Sequence, residues 1–297
     1  MITQGYLILA FGPKRYRDMA CACAASLRHW DKTRKIQIVT DCPDFSGEPE
    51  AKLFDIITVS KPNPKYQGPL VKLLMHDFSV FDETMFIDAD CFMLKSDIDR
   101  YWSEMSALDV STPGAWSSSG LWYKMDVQKI CDLVNVERIV KMNSGVMFFK
   151  KTRKSYEFFE LAKNTYSEFG NFTSHIHRDL GPPDEPYFGI AFGKLNIDPF
   201  WKRDSSGNAW MSSTIGATDF NLSAFSGAPS YMKNGFVSPT ICHFVGLLPK
   251  DQYTAIKKEF MQTSGVKLTY QRQIQDFIQS YEYRKLLSRI TSRLKPS

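Results

Sequence analysis

The sequence predicts an α/β fold, with a mostly parallel central sheet flanked by helices and a more irregular second half. Three observations predict it. Four short aliphatic or β-branched runs alternate with helical segments within the first 88 residues, and such alternation builds parallel sheets covered on both faces. Hydrophobic residues make up 43% and charged residues 23% of the 297 positions, enough for a packed core. Beyond residue 110 the regular alternation gives way to Ser-, Gly- and Trp-rich stretches.

The elements follow in order. Tyr6 to Phe11 is an unbroken apolar run and reads as a buried strand. Arg15 to Trp30 is alanine-rich and helical, and Lys35 to Thr40 alternates as a second strand. Asp55 to Ser60 is a third strand, and Pro62, Pro64 and Pro69 mark a loop. The spacing of Leu70 to Phe81 predicts an amphipathic helix, and Thr84 to Asp88 a fourth strand that ends in acid. Further on, Ser111 to Lys124 reads as a loop and Asn143 to Phe149 as a turn feeding a strand. Ser155 to Phe169 reads as a helix, and Asp184 caps another running toward Phe192. Asp204 to Gly227 is expected to be irregular, Thr240 to Phe244 a short strand, and Gln271 to Leu294 a closing helix.

The net charge is +5. Arg272, Arg284, Lys285, Arg289, Arg293 and Lys295 against Asp276 and Glu282 put +4 of it in the tail. A nearly neutral body argues against a protein that is mainly a nucleic-acid clamp. No apolar run approaches the roughly 20 residues that span a bilayer, and none resembles a secretory leader. The expected location is therefore cytoplasmic, free or peripheral on the inner membrane face. The six cysteines lack metal-finger spacing and read as buried thiols.

The strongest chemical signal is Phe86-Ile-Asp-Ala-Asp90. Residues two apart on a strand or its extended exit point the same way, so Asp88 and Asp90 present carboxylates to one place. Two converging acids repel unless a cation joins them, and hard oxygen ligands select Mg²⁺ or Mn²⁺. Such an ion can stabilise a departing diphosphate. The bland alternative is a strand-end turn with two solvated acids. A phosphatase of the haloacid dehalogenase type also uses an apolar D-x-D, but its motif usually opens the domain, whereas three strands precede this one.

Further motifs fall in a recognisable order. Arg15 to Trp30 with Tyr16, Lys72-Leu73, the Asp88–Asp90 motif, Asn143-Ser-Gly-Val, Asp184-Glu185 and His243-Phe-Val-Gly246 resemble glycosyltransferase family 8, the group of glycogenin and bacterial galactosyltransferases. The resemblance covers roughly residues 6 to 250. It implies the Rossmann-like GT-A fold and a metal-dependent, nucleotide-sugar-dependent hexosyltransferase that acts with retention. Asp88, Asp90 and His243 would be the metal ligands, for Mn²⁺ or Mg²⁺. Tyr16 would contact the nucleobase, uracil in a UDP-sugar. Lys72, Asn143 and Asp184 would contact the donor sugar or diphosphate. Taken singly, His243 reads as a core histidine, Lys72 as a solvated residue, Asn143 as a turn residue and Asp184 as an N-cap.

The sequence also departs from that family. Phe11-Gly12-Pro13 replaces small polar residues, and Leu247-Leu-Pro-Lys250 stands where the family has K-P-W, with Lys250 one residue out of register for a phosphate contact. Glu185 replaces a glutamine, so Asp184 and Glu185 are both candidate catalytic acids, and an acid in this region serves inverting enzymes as general base.

The acceptor is not named by the sequence: a glycan, a lipid-linked saccharide, a protein or modified DNA all fit. Trp116, Trp122, Trp201 and Trp210 sit in the second-half loops, where aromatic faces stack on sugars or pin loops. His175 and His177 before Asp179 have metal-ligand chemistry but read as a loop coincidence. The tail helix carries an apolar stripe opposite Arg and Lys, suited to docking on its own domain, to an anionic membrane or to nucleic acid. The organisation expected is a domain over residues 1–268, with a donor half to about 150 and an acceptor half after it, and a basic amphipathic helix over 269–297. The competing function is a catalytically silent GT-A module that binds a sugar or a partner.

Overall fold

The computed structural model describes residues 2–171, 181–200 and 203–266. Strand β1 (Gln4–Ala10) divides its side chains between two apolar layers. Tyr6, Ile8 and Ala10 face one layer and Leu7 the other, as the two-residue period of a strand requires. After Gly12, which has a φ of 84°, comes α1 (Lys14–Trp30), whose small residues Ala20 to Ala25 are buried. β2 (Lys35–Thr40) and β3 (Ile56–Val59) extend the sheet on one side of β1. The chain then crosses through α2 (Met75–Phe78) to β4 (Glu83–Ile87), which pairs with β1 on its other side. All these pairings are parallel. Strand order reverses between β1 and β4, which makes their carboxyl ends a topological switch point.

β5 (Cys91–Met93) leaves this sheet, and α3 (Ile98–Met105) leads to β6 (Val110–Ser111). An outer layer follows: β7 (Gly114–Ser117), β8 (Leu121–Trp122), β9 (Met125–Asp126), α4 (Val127–Val134) and β10 (Ile139–Met142). β11 (Val146–Lys150) inserts antiparallel between β4 and β6, giving the order β3-β2-β1-β4-β11-β6. α5 (Arg153–Phe169) and α6 (Glu185–Leu195) cover the face that holds Leu7, Phe86, Met147 and Phe149. A second sheet of β12 (Asn208–Ser213), β13 (Thr218–Asn221), β14 (Ser230–Met232) and β15 (Phe236–His243) closes the other face, with β5 paired antiparallel to β15. α7 (Lys250–Thr263) ends the described chain, packing Tyr253, Ile256 and Phe260 into the layer of Tyr6 and α1. Among the described residues no helix is long and apolar enough to cross a membrane.

The α/β fold and its mostly parallel sheet are as predicted. Several elements differ. The helix expected over Leu70 to Phe81 is a 3₁₀ segment, Gly68–Leu74, continued only as far as Phe78. Ser79 stops it, because its hydroxyl accepts from the Phe81 N–H and bonds Thr84, an alternative to helical pairing. The stretches expected to be loops contain β6 to β8 and β12 to β13. The strand expected over Thr240 to Phe244 begins four residues earlier, at Phe236, and ends at His243. The tail helix over 269–297, the pair His175 and His177, and Trp201 lie outside the described residues.

Candidate active site

Asp88 and Asp90 leave β4 at the switch point, and backbone bonds fix the loop from both sides. The Asp88 N–H donates to Gly145 O at 2.8 Å, tying the loop to the turn before β11. The Phe244 N–H donates to Asp90 O at 3.0 Å, and β5–β15 pairing sets His243 opposite Cys91. The second sheet thereby delivers the imidazole to the acids. His243 Nε2 lies 3.1 Å from Asp90 Oδ1 and 3.9 Å from Asp88 Oδ2. The carboxylates keep about a fifth of their side-chain surface exposed (21% and 19%), so the cluster opens on one side.

The tautomer of His243 follows from its neighbours. Asn143 Oδ1 accepts the Gly145 N–H at 3.1 Å, which identifies that atom as the oxygen. The same oxygen lies 2.7 Å from His243 Nδ1, so Nδ1 carries a proton and donates. Nε2 is left facing two carboxylates. A lone pair there needs a cation in front of it. With none, a proton serves: burial would lower the imidazole pKa, but Asp90 and Asp88 raise it overall. His243 in turn holds the Asp90 carboxyl below its ordinary range against burial, while burial keeps Asp88 raised despite Lys72. Two carboxylate oxygens and an imidazole nitrogen form a donor set that fits a divalent cation. The Cys91 thiol is also near, but burial raises its pKa far above the ordinary range and it donates to Gly145 O at 3.6 Å, so it is a neutral core group. Gly145 is required here: a Cβ on it would fall on His243 Nδ1 and 2.9 Å from Asn143 Oδ1.

Lys72 enters from the 3₁₀ segment. Its ammonium donates to Asp88 Oδ2 at 2.6 Å and Ser144 Oγ at 3.0 Å, and lies 3.9 Å from Asp184 Oδ2. Burial alone would lower its pKa, but the charges of Asp184 and Asp88 raise it, so it stays cationic. Asp184 occupies the N-cap position of α6 yet makes no capping bond; the expectation that its side chain caps the helix is corrected. The carboxylate is buried, and its Oδ2 has no hydrogen-bond partner among the described residues. Glu185 is fully engaged. Oε1 accepts the Ser144 N–H at 3.0 Å and Oε2 accepts the Tyr123 hydroxyl at 2.5 Å. Burial and the charge of Asp184 push its pKa up to about 7. Gly189 and Gly193 seat α6 against β10, since a Cβ on either would strike the carbonyl of Val140 or Arg138.

Tyr16 stands apart from this cluster, half-buried on the first turn of α1, with the Arg15 guanidinium 4.9 Å above its ring. Nearby, the Gly12 N–H donates to Asp41 at the end of β2. Lys250 is exposed at the start of α7. The described tryptophans of the second-half loops are pinned. Trp116 donates to Asp198 under the Arg138 guanidinium, Trp122 faces Gly189, and Trp210 is buried beside Tyr101 and Phe200. Tyr123 and Ser144 are the site residues that pattern reading misses. The one backbone signal for Tyr123 is structural, its φ of 49° followed by 60° at Lys124.

No protein-family model matches this sequence, and no curated protein is significantly similar to it. Solved structures share its fold. The galactosyltransferase LgtC, in complex with donor and acceptor sugar analogues, matches over 90% of this chain and 98% of its own, at 10% identity and a TM-score of 0.54. An active-site mutant of LgtC with glutamate in place of a glutamine gives 11% identity, the same coverage and a TM-score of 0.55. The glycosyltransferase GlyE of Streptococcus pneumoniae TIGR4 is matched at 15% identity over 69% of this chain, with a TM-score of 0.43, and this chain spans 47% of its length. The likeness to LgtC establishes the fold as the mixed α/β, mostly parallel-sheet fold of GT-A glycosyltransferases.

Proposed function

We propose that this protein is a metal-dependent glycosyltransferase that moves a hexose from a nucleotide-diphosphate sugar, a UDP-sugar by resemblance, to an acceptor hydroxyl with retention. The observation that carries this reading is the meeting of Asp88, Asp90 and His243 at the switch point of a GT-A fold, with Lys72 and Asn143 bonded to the same groups. Those three residues would hold Mn²⁺ or Mg²⁺, which when bound neutralises charge on the departing diphosphate. Lys72 adds a second positive charge beside them and can pass from Asp88 to a phosphate oxygen. Asn143 spends its carbonyl on His243 and Gly145, so its amide hydrogens remain for the donor. The Asp184 oxygen that has no hydrogen-bond partner among the described residues suits a donor-sugar hydroxyl. Tyr16 stacks on the base, and Lys250 approaches a phosphate. Asp184, Glu185 and His243 come from beyond residue 150, so a donor half to about 150 and an acceptor half to about 268 share one site.

The reaction breaks the bond between the anomeric carbon and the diphosphate oxygen and forms one to the acceptor oxygen. The acceptor proton passes to the departing diphosphate. Both oxygens of Glu185 already accept hydrogen bonds, which favours a positioning group over a base and supports retention. Thermal denaturation with UDP, GDP or CDP, with and without Mn²⁺, tests the reading. UDP and Mn²⁺ together should raise Tm by several degrees, and neither alone should. Slow release of UDP from a UDP-sugar then separates an enzyme from a silent sugar-binding module. Absence of any metal-dependent stabilisation sinks the donor site.

A further inference from the structure

Beside the acidic cluster lies a cavity of about 260 Å³. The two share a wall. Asn143, bonded to His243, lines the cavity, and so does Ser213, which pairs in register with His243 across β12 and β15. Their charges are opposite. Lys141, Arg203 and Lys233 line the cavity, and among its described lining residues there is no aspartate or glutamate. Backbone oxygens rather than acids hold these cations: Lys141 donates to Leu121 O, Arg203 to the carbonyls of Lys233 and Asn234, and Lys233 to Ser213 O and Oγ. Lys233 is the most telling of the three. Its ammonium has three protons and two are used, and burial depresses its pKa. The floor is apolar, and the Trp210 indole N–H there is buried with no hydrogen-bond partner among the described residues.

We propose that this cavity binds the acceptor and that the acceptor is anionic, a hydroxyl compound bearing a phosphate or carboxylate that docks on Lys233 in the field of Lys141 and Arg203. The proposal rests on the acidic cluster being the donor site. A molecule held here has its hydroxyls beside Asn143, where the donor sugar would sit. The donor's diphosphate has its own positive partner in Lys72, so the cavity's cations, held by neutral oxygens and paired with no described acid, can take a second anion. A neutral sugar would leave the half-buried Lys233 charge uncompensated, whereas an oxyanion accepts charge-assisted hydrogen bonds from it. Supply of such an acceptor falls to a reaction that phosphorylates a hydroxyl or oxidises a primary alcohol to an acid.

The experiment titrates glucose, glucose 6-phosphate and glucuronate calorimetrically into the full chain, free and loaded with UDP and Mn²⁺. It is repeated with Lys233→Gln and Lys141→Gln. An anionic probe should bind about tenfold or more tighter than glucose, and the better of the two identifies the oxyanion. Lys233→Gln should erase that preference and Lys141→Gln should reduce it, with UDP–Mn²⁺ affinity unchanged in both. Equal binding of the three probes overturns the proposal, as does a preference that survives both substitutions. Displacement of glucose 6-phosphate by UDP also overturns it, because the cavity would then belong to the donor. Failure of the unaltered protein to bind UDP and Mn²⁺ strikes instead at the donor-site reading, and the probe ranking still tests the cavity.

Discussion

The acidic cluster and the basic cavity meet at Asn143, yet they are held together in opposite ways. In the cluster each charge leans on another charge: Lys72 on Asp88, His243 on Asp90. In the cavity the cations lean on neutral oxygens of the backbone and Ser213. Charge-on-charge organisation is strong at low dielectric and fails when one member is lost. Backbone-held cations lose only their own contribution. Substitutions in the cluster should therefore cost far more than substitutions around the cavity.

The largest effect should come from Asp90→Asn. It removes the partner of His243 Nε2 at 3.1 Å and halves the paired acid charge. Mn²⁺-dependent UDP binding, read by calorimetry, should weaken more than about 100-fold with the circular dichroism spectrum unchanged. Turnover retained at ordinary Mn²⁺ would break the comparison. His243→Ala should raise the Mn²⁺ requirement in the same assay, and a variant that loses only thermal stability would make His243 a core residue. Next comes Gly145→Ala, which removes no metal-ligating group. Its new methyl displaces the His243–Asn143 pair, so about 10- to 100-fold in metal affinity and about 1–3 kcal/mol of stability should go together. If either is lost without the other, the orientation of the imidazole is not what sets the affinity.

Glu185→Gln sharpens the contrast at the small end. Gln accepts and donates where Glu185 meets Ser144 and Tyr123, so the rate should fall by less than about tenfold, against roughly 10²–10⁴ for a lost general base. NMR of the product should show the retained anomer; an inverted anomer with a collapsed rate would refute the positioning role. Stability should change with pH. The ordinary glutamate value is 4.5, and in the fold it is pushed up to about 7. Folding thus favours the protonated form, so this contribution is full below about 4.5 and is lost as pH rises through 7. The variant does not titrate there. Without ligand it should lose less stability than the parent between pH 5 and 8, by something on the order of 2 kcal/mol. Parallel denaturation curves would show that Glu185 is not held protonated.

The elements visible in the sequence are those whose burial is local and two-sided. β1, β2 and β4 read as apolar runs because both faces are covered. The Asp88–Asp90 pair shows because strand geometry aligns residues two apart. β6 to β9 escape pattern reading because each is only two to four residues long, and β12 because polar Asn208, Ser212 and Ser213 flank its buried Ala209, Trp210 and Met211 and its partner β15 lies far along the chain. Asp184 carries an N-cap signature, and only packing reveals that its carboxylate is buried without a capping bond. The cavity's cations lie at positions 141, 203 and 233, far apart in the chain, so no window of sequence contains them together.

Gly189 and Gly193 lie one turn apart on α6 and face Val140 of β10 and Arg138 just before it, each at a distance that admits only hydrogen. The first turn of that helix holds Asp184 and Glu185 in place. A methyl at the far glycine would wedge the helix off the sheet and swing its near end like the tip of a lever. In a library that varies every position of α6, activity should therefore drop out at two glycines that touch no substrate. The pattern of tolerance along this helix would trace the sheet beneath it, marking a hinge line that recombination with another enzyme of this fold would have to leave whole.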